Sequence, residues 1–233
     1  MSILAIIPAR GGSKRIPRKN IKNFVGQPII KYSIDAALQS GIFDEIMVST
    51  DDEEIANVSD SFGAKIPFMR SAKNSGDMAF TVPVLEEVVR EYEKLNRKFD
   101  SVCCIYPTAP FITPERLKKA YELFTEKKPE AVVAVMKFSY PIQRAMKIEE
   151  GRTKMFWPEN YNVRTQDLEP AYHDCGQFYF LKTDAMLEQK VLYPEFTIPI
   201  IIPSSEGQDI DNEEDWDIAE IKFKLQKKYN ALI

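Results

Sequence analysis

The sequence predicts an α/β fold: a mainly parallel, helix-covered sheet carrying one inserted arm. Three observations lead there. Short apolar runs alternate with segments of helical period, which indicates βαβ units. The runs are apolar at nearly every position, as strands buried on both faces are. The rhythm breaks once, after Lys137, and then resumes.

In chain order, Ile3 to Pro8, Glu45 to Ser49, Lys65 to Met69, Ser101 to Tyr106 and Ala131 to Met136 read as strands. Pro28 falls at the first turn of a helix with Ile30, Ile34, Ala37 and Leu38 on its apolar face, closed by Gly41. Asp51 and Asp52 open a second helix, carrying Ile55, Val58 and Phe62 before Gly63. Val84, Leu85, Val88, Val89 and Tyr92 stripe a third. Thr113-Pro114 is an N-cap followed by N1, leading into Leu117, Ala120, Tyr121 and Phe124. From about Lys137 to Tyr172 the chain is aromatic and polar without a helical pattern, which suits an inserted arm. Asp174 to Leu181 and Thr197 to Ile202 return to strand character, and a helix from about Asn212 to Lys228 ends the chain. We expect one domain over 1–233 with its insertion at about 137–172.

The chain has 233 residues, 44% hydrophobic and 28% charged, with a net charge of -4. That composition suits a globular fold and argues against disorder, collagen or coiled coil. Mild acidity argues against a general nucleic-acid or membrane-surface binder. No charge-free apolar run reaches 18 residues, so no membrane span is expected. Three cysteines, two of them adjacent at Cys103 and Cys104, make neither a disulfide framework nor a zinc site, and a reduced cytoplasm follows. His173 is the single histidine.

The net charge hides two poles. Met1 to Ile34 holds seven basic residues (Arg10, Lys14, Arg15, Arg18, Lys19, Lys22, Lys31) and no acid. Glu206 to Asp217 holds seven acids and no base. The basic pole begins Pro8-Ala9-Arg10-Gly11-Gly12-Ser13-Lys14 and runs through Lys19-Asn20, directly after the first strand. Its glycines allow backbone N–H groups to converge on an anion, and its cations neutralise a polyphosphate. The spacing fits neither a Walker A loop nor a dinucleotide fingerprint. A solvated basic loop is the plainer reading; the density of cations at the end of a first strand favours phosphate. In the acidic pole, Asn212 or Asp211 suits a helix cap, and Glu213, Glu214 and Asp215 suit the helix dipole. Asp209 and Asp211 stand two apart, and on an extended segment both carboxylates face one side. They can share a hard cation such as Mg²⁺. A phosphate loop and a carboxylate pair together point to a metal-dependent nucleotidyl transferase or a kinase.

With these motifs go Val48-Ser49-Thr50-Asp51-Asp52-Glu53-Glu54, Tyr106-Pro107-Thr108-Ala109-Pro110 and Gln208-Asp209-Ile210-Asp211. In that order, over nearly the whole chain, they resemble the CMP-sialic acid synthetase (acylneuraminate cytidylyltransferase) family. Tyr106 to Phe111, Arg164-Thr-Gln-Asp167 and His173-Asp-Cys-Gly-Gln-Phe178 bring the resemblance nearest to its bacterial branch acting on pseudaminic acid. The resemblance implies a Rossmann-like nucleotidyltransferase fold, a homodimer, and transfer of CMP from CTP to an acidic nine-carbon sugar with Mg²⁺ and release of pyrophosphate. It implies that Arg10, Gly11, Gly12, Ser13, Lys19 and Asn20 hold the triphosphate, with Arg10, Lys19 and Asp211 catalytic. Arg70, Asp77 and Thr108 would complete the nucleotide side, and Asp209 and Asp211 the metal pair. Tyr106, Arg164, His173, Gln177 and Phe178 would contact the sugar.

Tyr106 stands where sialic acid enzymes usually have Gln, and Cys175-Gly176-Gln177 where they usually have Asn-Gly-Ala. Both departures lie on the sugar side, which suggests another acidic sugar; legionaminic and sialic acids are the alternatives. As a lone histidine, His173 reads first as a packed or hydrogen-bonded residue; the resemblance leans towards sugar contact. Of Phe178 and Tyr179, which alternate faces, one is expected in the sugar pocket and the other in the core. Cys103 and Cys104 are expected in the core. Met155 to Pro158 with Tyr161 are expected on a dimer surface.

Overall fold

The computed structural model describes residues 1–77 and 79–230. A six-stranded sheet is built from β1 (Ile3–Pro8), β4 (Glu45–Ser49), β5 (Ser101–Ile105), β6 (Ala131–Lys137), β9 (Tyr172–Lys182) and β10 (Thr197–Ile202), in the order β10-β6-β9-β5-β1-β4. All neighbours are parallel except β9, which runs antiparallel to β5 and β6. Helices α1 (Ile29–Ser40), α2 (Glu53–Ser61), α3 (Thr81–Lys94), α4 (Pro114–Lys127), α5 (Thr183–Gln189) and α6 (Glu213–Asn230) complete it. Two short hairpins, β2 (Asn23–Phe24) with β3 (Gln27–Pro28) and β7 (Met146–Glu149) with β8 (Arg152–Met155), lie outside the main sheet.

The sheet is buried on both faces. Ile3, Ala5 and Ile7 point into one cluster with α1 and α4, while Leu4 and Ile6 point into another with α3. Each Ile or Leu side chain among them contributes about 1.5–3 kcal/mol on burial. Cys103 and Cys104 are fully buried, one to each face, as expected. The helix ends also follow the sequence signals. Gly41 ends α1 at φ 64°, and the Thr113 hydroxyl accepts from the Arg116 N–H at the start of α4.

The expected strand from Lys65 to Met69 reduces to a single parallel bridge, Met47 to Lys65. Pro67 has no N–H to offer a ladder, so pairing stops there. Leu38, assigned to the buried face of α1, is 43% exposed. Two short elements escaped the apolar pattern. β2 and β3 are joined by Val25 and Gly26, both at positive φ, and α5 is a two-turn helix. The segment between β6 and β9 holds no α-helix. It consists of 3-10 turns and the β7–β8 hairpin, whose turn residues Glu150 and Gly151 are both left-handed. Tyr140 and Ile148 there are 84% and 80% exposed.

Asp52 connects fold and loop chemistry. Its carboxylate caps α2 by accepting from the Ile55 N–H at 3.0 Å and bonds the Arg18 guanidinium at 2.5 and 3.0 Å. The Arg18 bond chiefly holds the Asp52 carboxyl down at about 2, against an ordinary 3.8. A lowered folded value stabilises the protein above the ordinary value, and that stabilisation is lost as pH falls towards 2. Asn keeps the cap and loses the charge. Asp52→Asn is therefore expected to lower urea stability by about 1 kcal/mol at pH 7, a figure discounted for the exposure of Arg18. The deficit should shrink between pH 4 and 2.

Candidate active site

The loops leaving the carboxyl ends of β1, β4 and β5 surround one cleft of about 220 Å³, where open parallel sheets place their ligands. Eight of the residues singled out from sequence converge on it: Arg10, Ser13, Lys19 and Asn20 from the β1 loop; Arg70; Tyr106 and Thr108 after β5; and Asp211 from the far end of the chain. Phe80, 72% exposed, and Thr81 at the start of α3 form the opposite wall.

A third apolar cluster brings the two charged poles together. Ile16 of the basic loop and Ile210 of the acidic segment are both buried in it, with Phe24, Phe111, Trp216 and Phe223. The Phe24 ring meets Trp216 and Phe223 edge-on at centroid distances of 5.5 and 5.4 Å. Burying Ile210 turns its two neighbours, Asp209 and Asp211, away from the core. Lys19 then reaches across and donates to the Ile210 carbonyl at 2.7 Å, Arg15 pairs with Asp211 at 2.8 Å, and Lys22 pairs with Glu213 at 2.6 Å. Lys22 also lies over the Trp216 ring, 4.6 Å from its centroid.

Cations without acids nearby in sequence thus find them in space. Asp77 pairs with Arg10 at 3.1 Å and with Lys14, and the Gly76 carbonyl accepts from Arg10 at 2.9 Å. Asp77 is exposed, and its bond with Lys14 lowers its carboxyl. It occupies the two cations that a phosphate would need.

The glycines behave differently from a phosphate cradle. The Gly11 N–H donates to the Asp51 carboxylate at 2.9 Å, and a Cβ on Gly11 would stand 2.7 Å from Asp52 Oδ2. Gly11 is needed for this close approach. Neither Gly11 nor Gly12 lines the cleft. Asn20 is buried and donates to the Arg10 carbonyl at 2.9 Å, fixing the loop that presents Arg10.

Deep in the cleft, burial lowers the Lys19 ammonium, with Asp211 and Asp209 opposing that shift. Arg70 is lowered by burial too; its Nε donates to Ser49 Oγ at 3.0 Å and its Nη2 to the Ser49 carbonyl. Asp209 is raised, first by the protein around it and then by Asp211. Two carboxylates that resist sharing one neighbourhood suit a bound cation. Among the described residues no third Asp, Glu, His or Cys joins them. Asp209 and Asp211 are the residues that would hold a hard divalent cation, and Asp211 is paired with Arg15.

The loop carrying this pair is held from three sides. Lys222 of α6 donates to the carbonyls of Ser204 and Gly207 and to Gln208 Oε1, at 3.1, 3.0 and 2.9 Å. Arg116 of α4 pairs with Glu206. Gln177 of β9 donates to the Glu206 carbonyl at 2.8 Å. Lys222 and Arg116 carry no sequence signal, because a lone cation on an amphipathic helix reads as solvated.

Four expected sugar contacts lie away from the cleft lining. Phe178 is 0% exposed and packs edge-on against Phe180 at 5.8 Å, so it belongs to the core. Its partner Tyr179 is buried as well; the alternation that should have exposed one of the two fails because helices cover both faces. Gln177 is buried in the contact just described. Arg164 is exposed and pairs with Asp167 at 2.7 Å. The His173 ring lies against Phe138, centroids 4.7 Å apart and tilted by 57°, and its Nδ1 meets the Asp174 carbonyl at 2.7 Å. Tyr106 remains. Its phenol shares a 3.1 Å hydrogen bond with Thr81, and burial pushes it up to about 12, so it is a neutral hydrogen-bonding group.

Cations and a carboxylate at the carboxyl end of a mainly parallel sheet suit a nucleotidyltransferase, and the family model for cytidylyltransferases matches residues 4–193. The chain belongs to the cytidylyltransferase family. It is 44% identical to the pseudaminic acid cytidylyltransferase of Campylobacter jejuni over 226 residues, 97% of each chain. It is 35% identical to the CMP-N,N'-diacetyllegionaminic acid synthase of Legionella pneumophila, covering 98% of this chain and 99% of that one. Its fold matches a solved CMP:2-keto-3-deoxy-manno-octonic acid synthetase complexed with CTP, with a TM-score of 0.69 and 17% identity over 98% and 100% of the two chains. No helix among the described residues is long and apolar enough to cross a membrane.

Proposed function

We propose that the protein transfers CMP from CTP to pseudaminic acid and releases pyrophosphate. The observation that carries this reading is the cleft itself, where the cations of the first loop and Asp211 of the last face Tyr106. The near-full-length similarity to a pseudaminic acid cytidylyltransferase supports the choice of sugar.

Arg10, Lys14 and Lys19 hold the triphosphate, which displaces Asp77 from Arg10 and Lys14. Arg70 and Thr108 line the nucleotide side, with Asn20 fixing the loop. The sugar hydroxyl attacks the α-phosphorus while pyrophosphate departs in line. Lys19, half-desolvated, meets the charge that develops where water is scarce. Asp209 and Asp211 hold Mg²⁺, which when bound supplies further neutralisation of phosphate charge. Tyr106 hydrogen-bonds the sugar as a neutral phenol. The cysteines are buried and take no part.

The exposed aromatic segment at about 137–172 serves as the arm of a homodimer, and Arg164 within it and His173 directly after it meet the sugar only if that arm or a second copy brings them in. The protein works in the cytoplasm as one domain with this insertion. Pyrophosphate release from CTP, measured with pseudaminic, legionaminic and sialic acids, tests the assignment. Pseudaminic acid should give the highest kcat/KM; a higher value for either other sugar overturns the substrate, and release with none overturns the activity.

A further inference from the structure

Strand β9 does not pair evenly with β6. Val133 stands opposite Tyr179, but Val135, two residues on, stands opposite Asp174, five residues back. Residues 175–178 thus stand against Ala134 alone, three more than even pairing allows, while Phe178 still pairs with Ile105 of β5; such bulges beside active sites re-aim side chains. Gly176 lies in the bulge in a left-handed conformation, φ 62°. A Cβ there would be 3.1 Å from Asp209 Oδ1 and 3.7 Å from the Tyr106 ring. Gly176 therefore stands close to both Asp209 and the Tyr106 ring, with no room there for a side chain. Its next residue is tied to the β5 end, since the Tyr106 N–H donates to the Gln177 carbonyl at 2.9 Å.

One carboxylate closes this bulge. Asp174 Oδ1 accepts from the Gly176 N–H at 2.8 Å, and Asp174 Oδ2 accepts from the Tyr179 hydroxyl at 2.5 Å. It thereby joins both ends of the irregular stretch. The Tyr179 ring lies against Tyr106, centroids 5.4 Å apart and tilted by 52°. A carboxylate only accepts, so Tyr179 donates its hydroxyl hydrogen into this bond and keeps it, and turns lone pairs towards its other neighbours. Burial, and then the Tyr106 and Asp174 neighbours, keep the Tyr179 phenol protonated.

We infer that Asp174 is a positioning residue for the acceptor sugar: through Tyr179 and the Gly176 turn it sets the placement of Tyr106 relative to Asp209. The inference rests on the proposed cytidylyltransfer to pseudaminic acid, with Tyr106 as sugar contact. The nucleotide side, built on the β1 loop and Arg70, does not touch Asp174, so the two substrates should respond differently.

The test uses the full chain, with Asp174→Asn and Tyr179→Phe made singly and together. KM and kcat are measured for pseudaminic acid and for CTP, and CTP binding is measured calorimetrically without sugar. Asp174→Asn should raise the KM for pseudaminic acid about ten-fold or more, while CTP affinity stays within two-fold of the unsubstituted chain. Tyr179→Phe should move the same parameter, and the double variant should be no worse than Asp174→Asn alone. An unchanged sugar KM in Asp174→Asn overturns the inference, and so does a parallel loss of sugar and CTP binding. Strictly additive effects of the two substitutions overturn the route through Tyr179. Failure of the cytidylyltransfer reading looks different: the unsubstituted chain itself then releases no pyrophosphate with pseudaminic acid, and both ideas fall together.

Discussion

Asp211→Asn should lower kcat by about 10²- to 10³-fold, the scale of removing one group that stabilises developing phosphate charge. The substitution keeps the volume and removes the charge. Its structural cost should be small. The Asp211–Arg15 pair is half-exposed, and such pairs contribute about 0–1 kcal/mol. The Asp211 N–H bond to Asp215 at 3.0 Å needs no carboxylate at position 211. Urea unfolding should therefore barely move while the Mg²⁺ concentration for half-maximal turnover rises. Turnover that survives with unchanged Mg²⁺ dependence would show that the pair holds no catalytic ion.

Lys19→Met should lower kcat/KM for CTP by about 10²-fold, because a cation in a partly desolvated cleft interacts with phosphate far more strongly than one at the rim. Lys19 differs from its neighbours in this respect. Arg10 and Lys14 are shared with an exposed carboxylate, whereas Lys19 is sunk among Asp209, Asp211 and the Ile210 carbonyl. Met fills the same space without the charge. The Ile210 carbonyl then loses its donor, which costs about 1–3 kcal/mol, offset in part by no longer burying an ammonium. Steady-state kinetics with urea unfolding separates the two effects. A kcat/KM within three-fold of the unsubstituted chain would remove Lys19 from the phosphate site.

The particular residues show which parts of the protein were legible in sequence. β1, β4, β5 and β6 announce themselves as continuous apolar runs, because a strand covered by helices on both faces has no polar side. Thr113-Pro114 and Gly41 mark helix ends because their backbone preferences are local. The β1 loop was legible as a cluster of cations, and the structure sets Arg10, Lys14 and Lys19 along the cleft. The Lys65 to Met69 run misled because apolar character says nothing about hydrogen-bond partners, and Pro67 removes one. Phe178 misled for the opposite reason. Period-2 alternation predicts one buried and one exposed face, and a central strand has none exposed.

Sequence by itself determined the α/β alternation, the position of the basic loop at the end of β1, and the two-residue spacing of Asp209 and Asp211. These are consequences of short-range chemistry: side-chain periodicity, capping and local charge. The meeting of Lys19 with Ile210, 191 residues later, is different. It follows from Ile16 and Ile210 entering one apolar cluster with Phe24, Trp216 and Phe223, which leaves the flanking charges only the cleft to face. The bulge that sets Gly176 close to Asp209 and Tyr106 is likewise a property of paired strands. No residue on its own encodes a register shift; it exists only once β9 has two neighbours to pair with.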